Sequence, residues 1–155
     1  MKKIFVFGLV LSLMALSVFA VKPAGPSAVN GLNGNGADQL YLYEKDPTDW
    51  NNVELWGPAW GKMNYKDDSF VFNGHGLEAG YEYTLVRYEG DAWSQVECLA
   101  AGTTDEYGNV HLAGDVGSYG DKVWLVLSDD VDCEAVTPHM TSWNPTEYLF
   151  EYNTI

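Results

Sequence analysis

The sequence predicts an all-β protein, an antiparallel sandwich of about seven to nine short strands closed by one disulfide. Three observations carry this. From Gln39 onward apolar residues alternate with polar ones, the period of a half-buried strand. No window longer than about ten residues keeps a helical 3.6 period without Gly or Pro breaking it. Turn-forming clusters of Gly, Asn, Asp and Pro separate the alternating runs at short, regular intervals.

Residues 1–20 read as a leader rather than as part of the fold. Lys2 and Lys3 give a positive start, Ile4 to Val18 an apolar run, and Val18-Phe19-Ala20 small residues where a signal peptidase cuts. Residues 21–38, with Pro23, Pro26 and a run of Gly and Asn, read as a flexible N-terminal segment. Residues 39–155 then form the sandwich domain. Removing 20 of the 155 residues leaves 135, enough for one domain with its own core.

The strand candidates follow in order. Leu40 to Glu44 alternates. Val53 to Trp56 is short, because Gly57-Pro58 is expected to stop it. Trp60 to Tyr65 and Ser69 to Asn73 form a hairpin across Lys66-Asp67-Asp68. In Tyr81 to Tyr88, Tyr81, Tyr83 and Leu85 face one way, Glu82 and Thr84 the other. Ser94 to Ala101 carries Cys98, and Val110 to Ala113 follows the turn at Glu106 to Asn109. Lys122 to Leu127 is almost wholly apolar, as a central strand covered on both faces would be. Glu147 to Tyr152 closes the domain. Cys98 and Cys133 are the sole cysteines, and an even pair in an exported chain reads as a disulfide.

Charge narrows the partners. The chain has 8 basic and 22 acidic residues, a formal net charge of −14. Loss of the leader removes two of the eight lysines and arginines and no acid, giving −16. A field of that sign repels nucleic acid and anionic lipid. No membrane insertion is expected once the leader is gone, and the location expected is extracellular or in the cell envelope. High aromatic content separates this acidity from that of a disordered tail.

Turn chemistry supplies a resemblance. Ser69 to Gly80 (SFVFNGHGLEAG), running into Tyr83-Thr84-Leu85, resembles a strand–corner–strand element of exported prokaryotic Ig-like domains. Gly102 to Val110 (GTTDEYGNV) is similar to a later turn of the same domains. With Leu42 to Pro47 and Trp143 to Tyr148, the likeness extends over most of residues 40–155 and implies an Ig-like sandwich among small secreted proteins. It implies no reaction and no catalytic residue.

Candidate sites fall into three classes. Asp129, Asp130 and Asp132 stand in one loop, and irregular clusters of carboxylate oxygens suit Ca²⁺. A solvated turn in an acid-rich chain is the plainer reading and the favoured one. Asp105, Glu106 and Asn109 are a weaker set of the same kind. His75, His111 and His139 lack the close pairing of a zinc or copper site. The aromatic residues are the most suggestive. Trp50, Trp56, Trp60 and Trp93 lie in or beside turns, as does Trp143. An exposed row of such rings holds sugar through CH–π contact. The competing reading is that the rings cap the ends of the sandwich. With no G-x-S-x-G elbow and both cysteines committed to a bridge, no enzyme is expected. The expectation is a non-enzymatic binding or adhesive module with a carbohydrate or protein surface as partner. The alternatives are a structural subunit joined through edge strands and a calcium-stabilised carbohydrate module.

Overall fold

The computed structural model describes residues 38–46, 48, 55–117 and 122–151. The leader, nearly all of the Gly/Asn/Pro-rich segment and Trp50 lie outside these residues, as do the side chains of Asp38, Leu55 and Trp56.

Ten strands form among the described residues: β1 (Asp38–Lys45), β2 (Leu55–Lys66), β3 (Ser69–His75), β4 (Glu82–Tyr88), β5 (Glu97–Thr103), β6 (Val110–Asp115), β7 (Lys122–Leu127), β8 (Val131–Asp132), β9 (His139–Met140) and β10 (Leu149–Glu151). Eight join in one antiparallel sheet of order β5-β4-β7-β10-β1-β2-β3-β6, and β8 pairs with β9. The sheet folds over on itself until its edge strands β5 and β6 lie against each other. Two short 3₁₀ turns, Ser128–Asp130 and Pro145–Glu147, are the helical elements among the described residues. The expected all-β sandwich with one disulfide is the observed architecture.

Alternation sorts the side chains into two cores. The inner one lies between the halves of the folded sheet and includes Leu40, Leu42, Met63, Phe70, Phe72, Tyr83, Leu85, Leu112, Val123, Leu125 and Leu149. The second packs on the outer face of β4, β7 and β10, where Val86, Tyr88, Val126, Tyr148 and Phe150 meet Ala92, Val96, Val131 and Met140 from the covering loops. β7 explains why its sequence is apolar throughout. Val123 and Leu125 point into the first core, Val126 and Trp124 into the second. Burying a large aliphatic side chain contributes roughly 1.5–3 kcal/mol, so the second core is an energetic layer in its own right.

Three local expectations need correction. β2 does not stop at Gly57-Pro58 but runs through them. The register passes from Tyr43↔Trp60 to Lys45↔Leu55, an irregular bulge that takes the Gly-Pro pair out of the regular ladder register. The strand expected from Ser94 begins at Glu97, because Ser94 and Gln95 belong to a turn closed by Asp91 and the Val96 amide bonds to the Pro138 carbonyl. Tyr81 lies outside β4 and is half exposed. The hairpin between β2 and β3 forms as expected. Lys66 pairs with Ser69 around Asp67, whose φ of 52° is left-handed, a conformation Asp tolerates.

The corner and turn that carry the Ig-like resemblance are bonded to each other. The Leu77 amide donates to the Gly108 carbonyl at 3.0 Å. Gly108 has φ 73°, and a Cβ there would strike the Leu77 carbonyl oxygen, so this junction demands glycine.

The disulfide joins β5 to the outer layer. Cys98 and Cys133 are bonded with Cα atoms 5.9 Å apart. On β5 one extra residue, Leu99, stands opposite the Leu85–Val86 step. This bulge accompanies the packing of Cys98 against the second core.

Candidate functional site

Cross-strand pairing places one aromatic rank across the outer face of the sheet. The partners run Val86↔Trp124, Trp124↔Phe150, Phe150↔Tyr43, Tyr43↔Trp60 and Trp60↔His75, from β4 through β7, β10, β1 and β2 to β3. Directly opposed residues of an antiparallel ladder share a face, so this rank is a consequence of register alone. Ring centroids are 5.1 Å apart for Trp124 and Phe150, and 4.7 Å for Trp60 and His75. Tyr88 packs edge-on against Trp124 at 4.4 Å.

Two tryptophans from loops sit on this rank. Trp143 packs on Trp124 at 5.5 Å, on Tyr148 at 5.5 Å and on Phe150 at 6.1 Å. Trp93 leans on Trp143 at 6.4 Å, their planes inclined by 50°. Both stay open to solvent, Trp93 at 49 % and Trp143 at 40 % of full exposure. Trp124 underneath is largely covered, and its indole N–H has no hydrogen-bond partner among the described residues.

Hydrogen bonds fix the two loops. For Trp93, Asp91 accepts the Trp93 amide at 3.0 Å through Oδ1 and the Ser94 hydroxyl at 2.8 Å through Oδ2. The turn is stitched to the β9 segment, with the Val96 amide donating to Pro138 O at 2.7 Å and the Met140 amide to Ala92 O at 3.0 Å. For Trp143 the anchor is Asp130. This buried carboxylate accepts the Tyr148 hydroxyl at 2.6 Å and the Asn144 amide group at 2.9 and 3.0 Å. The Asp130 carbonyl also accepts the Thr141 amide at 2.8 Å. Burial, and then donation to Asp130, holds the Tyr148 phenol well above its ordinary range. A hydrogen bond to a charged group is worth roughly 1.5–3 kcal/mol. Tyr148→Phe is therefore expected to lower the unfolding free energy by about 2 kcal/mol in urea titration. It should also raise the acrylamide quenching of Trp143.

The three aspartates weighed as a calcium loop are not equivalent. Asp130 turns inward to Tyr148 and Asn144, while Asp129 and Asp132 are exposed. Asp132 instead accepts the Glu134 and Ala135 amides at 3.0 and 2.9 Å, closing a turn just after the disulfide's Cys133. Among the described residues no three His, Cys, Asp or Glu side chains converge as a metal site requires. In the weaker set, Asp105 accepts the Asn109 and Tyr107 amides at 2.8 and 2.9 Å, which lowers its pKa. His75 is partnered with Asn109 at 2.9 Å and His111 with Asn73 at 2.8 Å.

Of the tryptophans singled out from sequence, Trp60 and Trp93 lie on the same outer face, Trp60 within the rank and Trp93 on its far end. Trp50 and the Trp56 side chain lie outside the described residues. Trp143 is the ring that sequence reasoning noticed but did not place. Its partners stand up to 50 positions away, so only the fold brings them together. The available signal was its position just ahead of Asn144-Pro145, a helix-start pattern that presents a loop residue.

A second feature opens at the β4 start of the inner core. Glu44, Glu78 and Glu147 line a pocket of about 240 Å³ with Tyr83 and Thr146, over Ala59, Leu77 and Leu149. Glu44 reaches it beside Gly57, at φ 68°, where any Cβ would occupy the place of its carboxylate. Desolvation pushes Tyr83 up to about 12, a backbone hydrogen bond at Glu78 opposes it, and the charges of Glu147, Glu78 and Glu44 add to the rise.

No protein-family model, curated protein or solved structure matches this chain.

Proposed function

We propose that the chain is an exported, non-enzymatic binding module that holds carbohydrate on its outer aromatic face. The observation that carries this reading is the Trp93–Trp143 pair, two half-exposed rings backed by Trp124, Phe150 and Tyr148. Exposed apolar surface rimmed by polar residues marks recognition sites. Rings fixed before binding lose little conformational entropy on contact, which favours a ligand of many weak apolar contacts. The disulfide, the leader-like start and the Ig-like turn motifs support an extracellular setting. Among the described residues no helix is long and apolar enough to cross a membrane.

The alternative of a filament subunit has less to draw on. The two edge strands that such assembly would use, β5 and β6, lie against each other.

Affinity electrophoresis in gels loaded with polysaccharide tests the proposal. Retardation on at least one polymer is expected, and Trp143→Ala should weaken it tenfold or more. Trp60→Ala, at the opposite end of the rank, should leave it within about twofold. Equal mobility of the unaltered protein in every polymer gel and in the blank gel would reject the reading.

A further inference from the structure

We infer that the platform takes a single, uncharged polysaccharide chain free in solution, rather than a crystalline polymer face or an acidic polymer. This rests on the carbohydrate reading above and goes on to the class of glycan.

Ring geometry decides the first part. A flat crystalline surface presents sugars in one plane, and it lies on two rings only where those rings are nearly coplanar. Trp93 and Trp143 are inclined by 50°, with centroids 6.4 Å apart. A plane resting on one ring meets the other at its edge. A separate chain turns about each glycosidic bond, so consecutive pyranose faces point in different directions and meet inclined rings in succession. The incline is built in. Trp143 is wedged by Trp124, Tyr148 and Phe150, and its loop is bound to Asp130, while Trp93 is held by the Asp91 turn. Rotating Trp143 flat would break that packing.

Charge decides the second part. The side chains that flank the two rings are uncharged: Ser94 and Gln95 follow Trp93, and Thr141 and Ser142 precede Trp143, all exposed. Hydroxyl and amide groups match sugar hydroxyls as donors and acceptors alike. The nearest charges on these two loops, Asp91 ahead of Trp93 and Glu147 beyond Trp143, are acidic and exposed. The basic groups of this face, Lys45, Lys62 and Lys122, lie over the Phe150, Tyr41 and Tyr88 rings at 5.0, 5.5 and 5.6 Å rather than at the Trp93–Trp143 pair. With a net charge of −14 behind it, the platform repels a polyanion.

The test uses the full, disulfide-bonded chain and its unaltered sequence, so no variant need fold. Dissociation constants are measured by gel retardation on soluble mixed-linkage β-glucan, galactomannan, dextran and polygalacturonate, and by depletion on microcrystalline cellulose. The expected result is binding to at least one neutral soluble polymer, tenfold or more tighter than to polygalacturonate and to cellulose. Raising sodium chloride from 50 to 500 mM should change that binding by less than twofold. Binding to cellulose or polygalacturonate as tight as to every neutral soluble polymer overturns the inference and leaves the carbohydrate reading standing. A neutral-polymer affinity that falls steeply with salt overturns it too. Absence of binding to all five polymers removes both.

Discussion

Opening the Cys98–Cys133 bridge is expected to remove about 4 kcal/mol of stability, the loop-closure entropy for a separation of 35 residues. For a domain of this size that corresponds to a fall in Tm of roughly 10–15 °C. The reason lies in what the bridge spans. It ties β5 to the segment between β8 and β9, and these two strands cover the second core through Val131 and Met140. Without the bridge, the cover is held by the two-residue β8–β9 ladder and a few backbone bonds such as Val96 to Pro138. The loss should thus fall first on the outer layer. A Cys98→Ser/Cys133→Ser double variant, compared with the oxidised protein by urea titration, checks the magnitude. Trp93 and Trp143 should become more accessible to acrylamide at urea concentrations where the inner core is still intact. Loss of both cores in one transition, at an unchanged midpoint, would show that the bridge holds nothing in place.

Glu151 yields the second large effect, and it depends on pH. Its residue is 9 % exposed, and its Oε2 has no hydrogen-bond partner among the described residues. Desolvation raises its pKa from 4.5 to about 7. Lys45 from β1 and Lys122 from β7 favour the charged form but do not offset burial. A carboxyl whose folded pKa lies above its unfolded value binds its proton more tightly when folded. Its contribution is whole below pH 4.5, declines as pH rises and is lost above about pH 7. A shift of that size corresponds to about 3 kcal/mol. Glu151→Gln cannot ionise, so the variant should match the parent near pH 4.5 and exceed it by up to about 3 kcal/mol at pH 8. Denaturant titrations of both proteins at pH 4.5, 6 and 8 measure the difference. A constant difference at all three would mean that Glu151 does not titrate in this window.

Local pattern made the sheet legible where one strand face was settled by its own residues. Tyr83 and Leu85 alternate against Glu82, and the unbroken apolar run of Lys122 to Leu127 announced a strand buried on both sides. Asp67-Asp68 marked its hairpin because few other residues accept a left-handed backbone. Gly57-Pro58 misled for a physical reason. Such a pair stops a strand in regular register, but a bulge shifts the register past it and the strand runs on.

The site was only half legible. Trp93 was visible as an aromatic residue beside a turn. Its contact with Trp143 was not, since it depends on two loops meeting across β7 and β10. Asp130 was hidden among acids of one type. Sequence shows Asp129, Asp130 and Asp132 as equals, and only the 3₁₀ turn at Ser128–Asp130 points the middle one toward Tyr148 and Asn144. The aromatic rank was likewise out of reach, because it needs the registers of five strand pairs at once.

The central claim is that Trp93 and Trp143 form the ligand face while the other rings support it. The protein has six tryptophans, and each gives one indole N–H signal in a ¹⁵N correlation spectrum. Assigned by single Trp→Phe substitutions and titrated with the tightest-binding neutral polysaccharide, the Trp93 and Trp143 signals should move together along one saturation curve, with Trp60 unmoved. Saturable shifts confined to other tryptophans, with those two stationary, would contradict it.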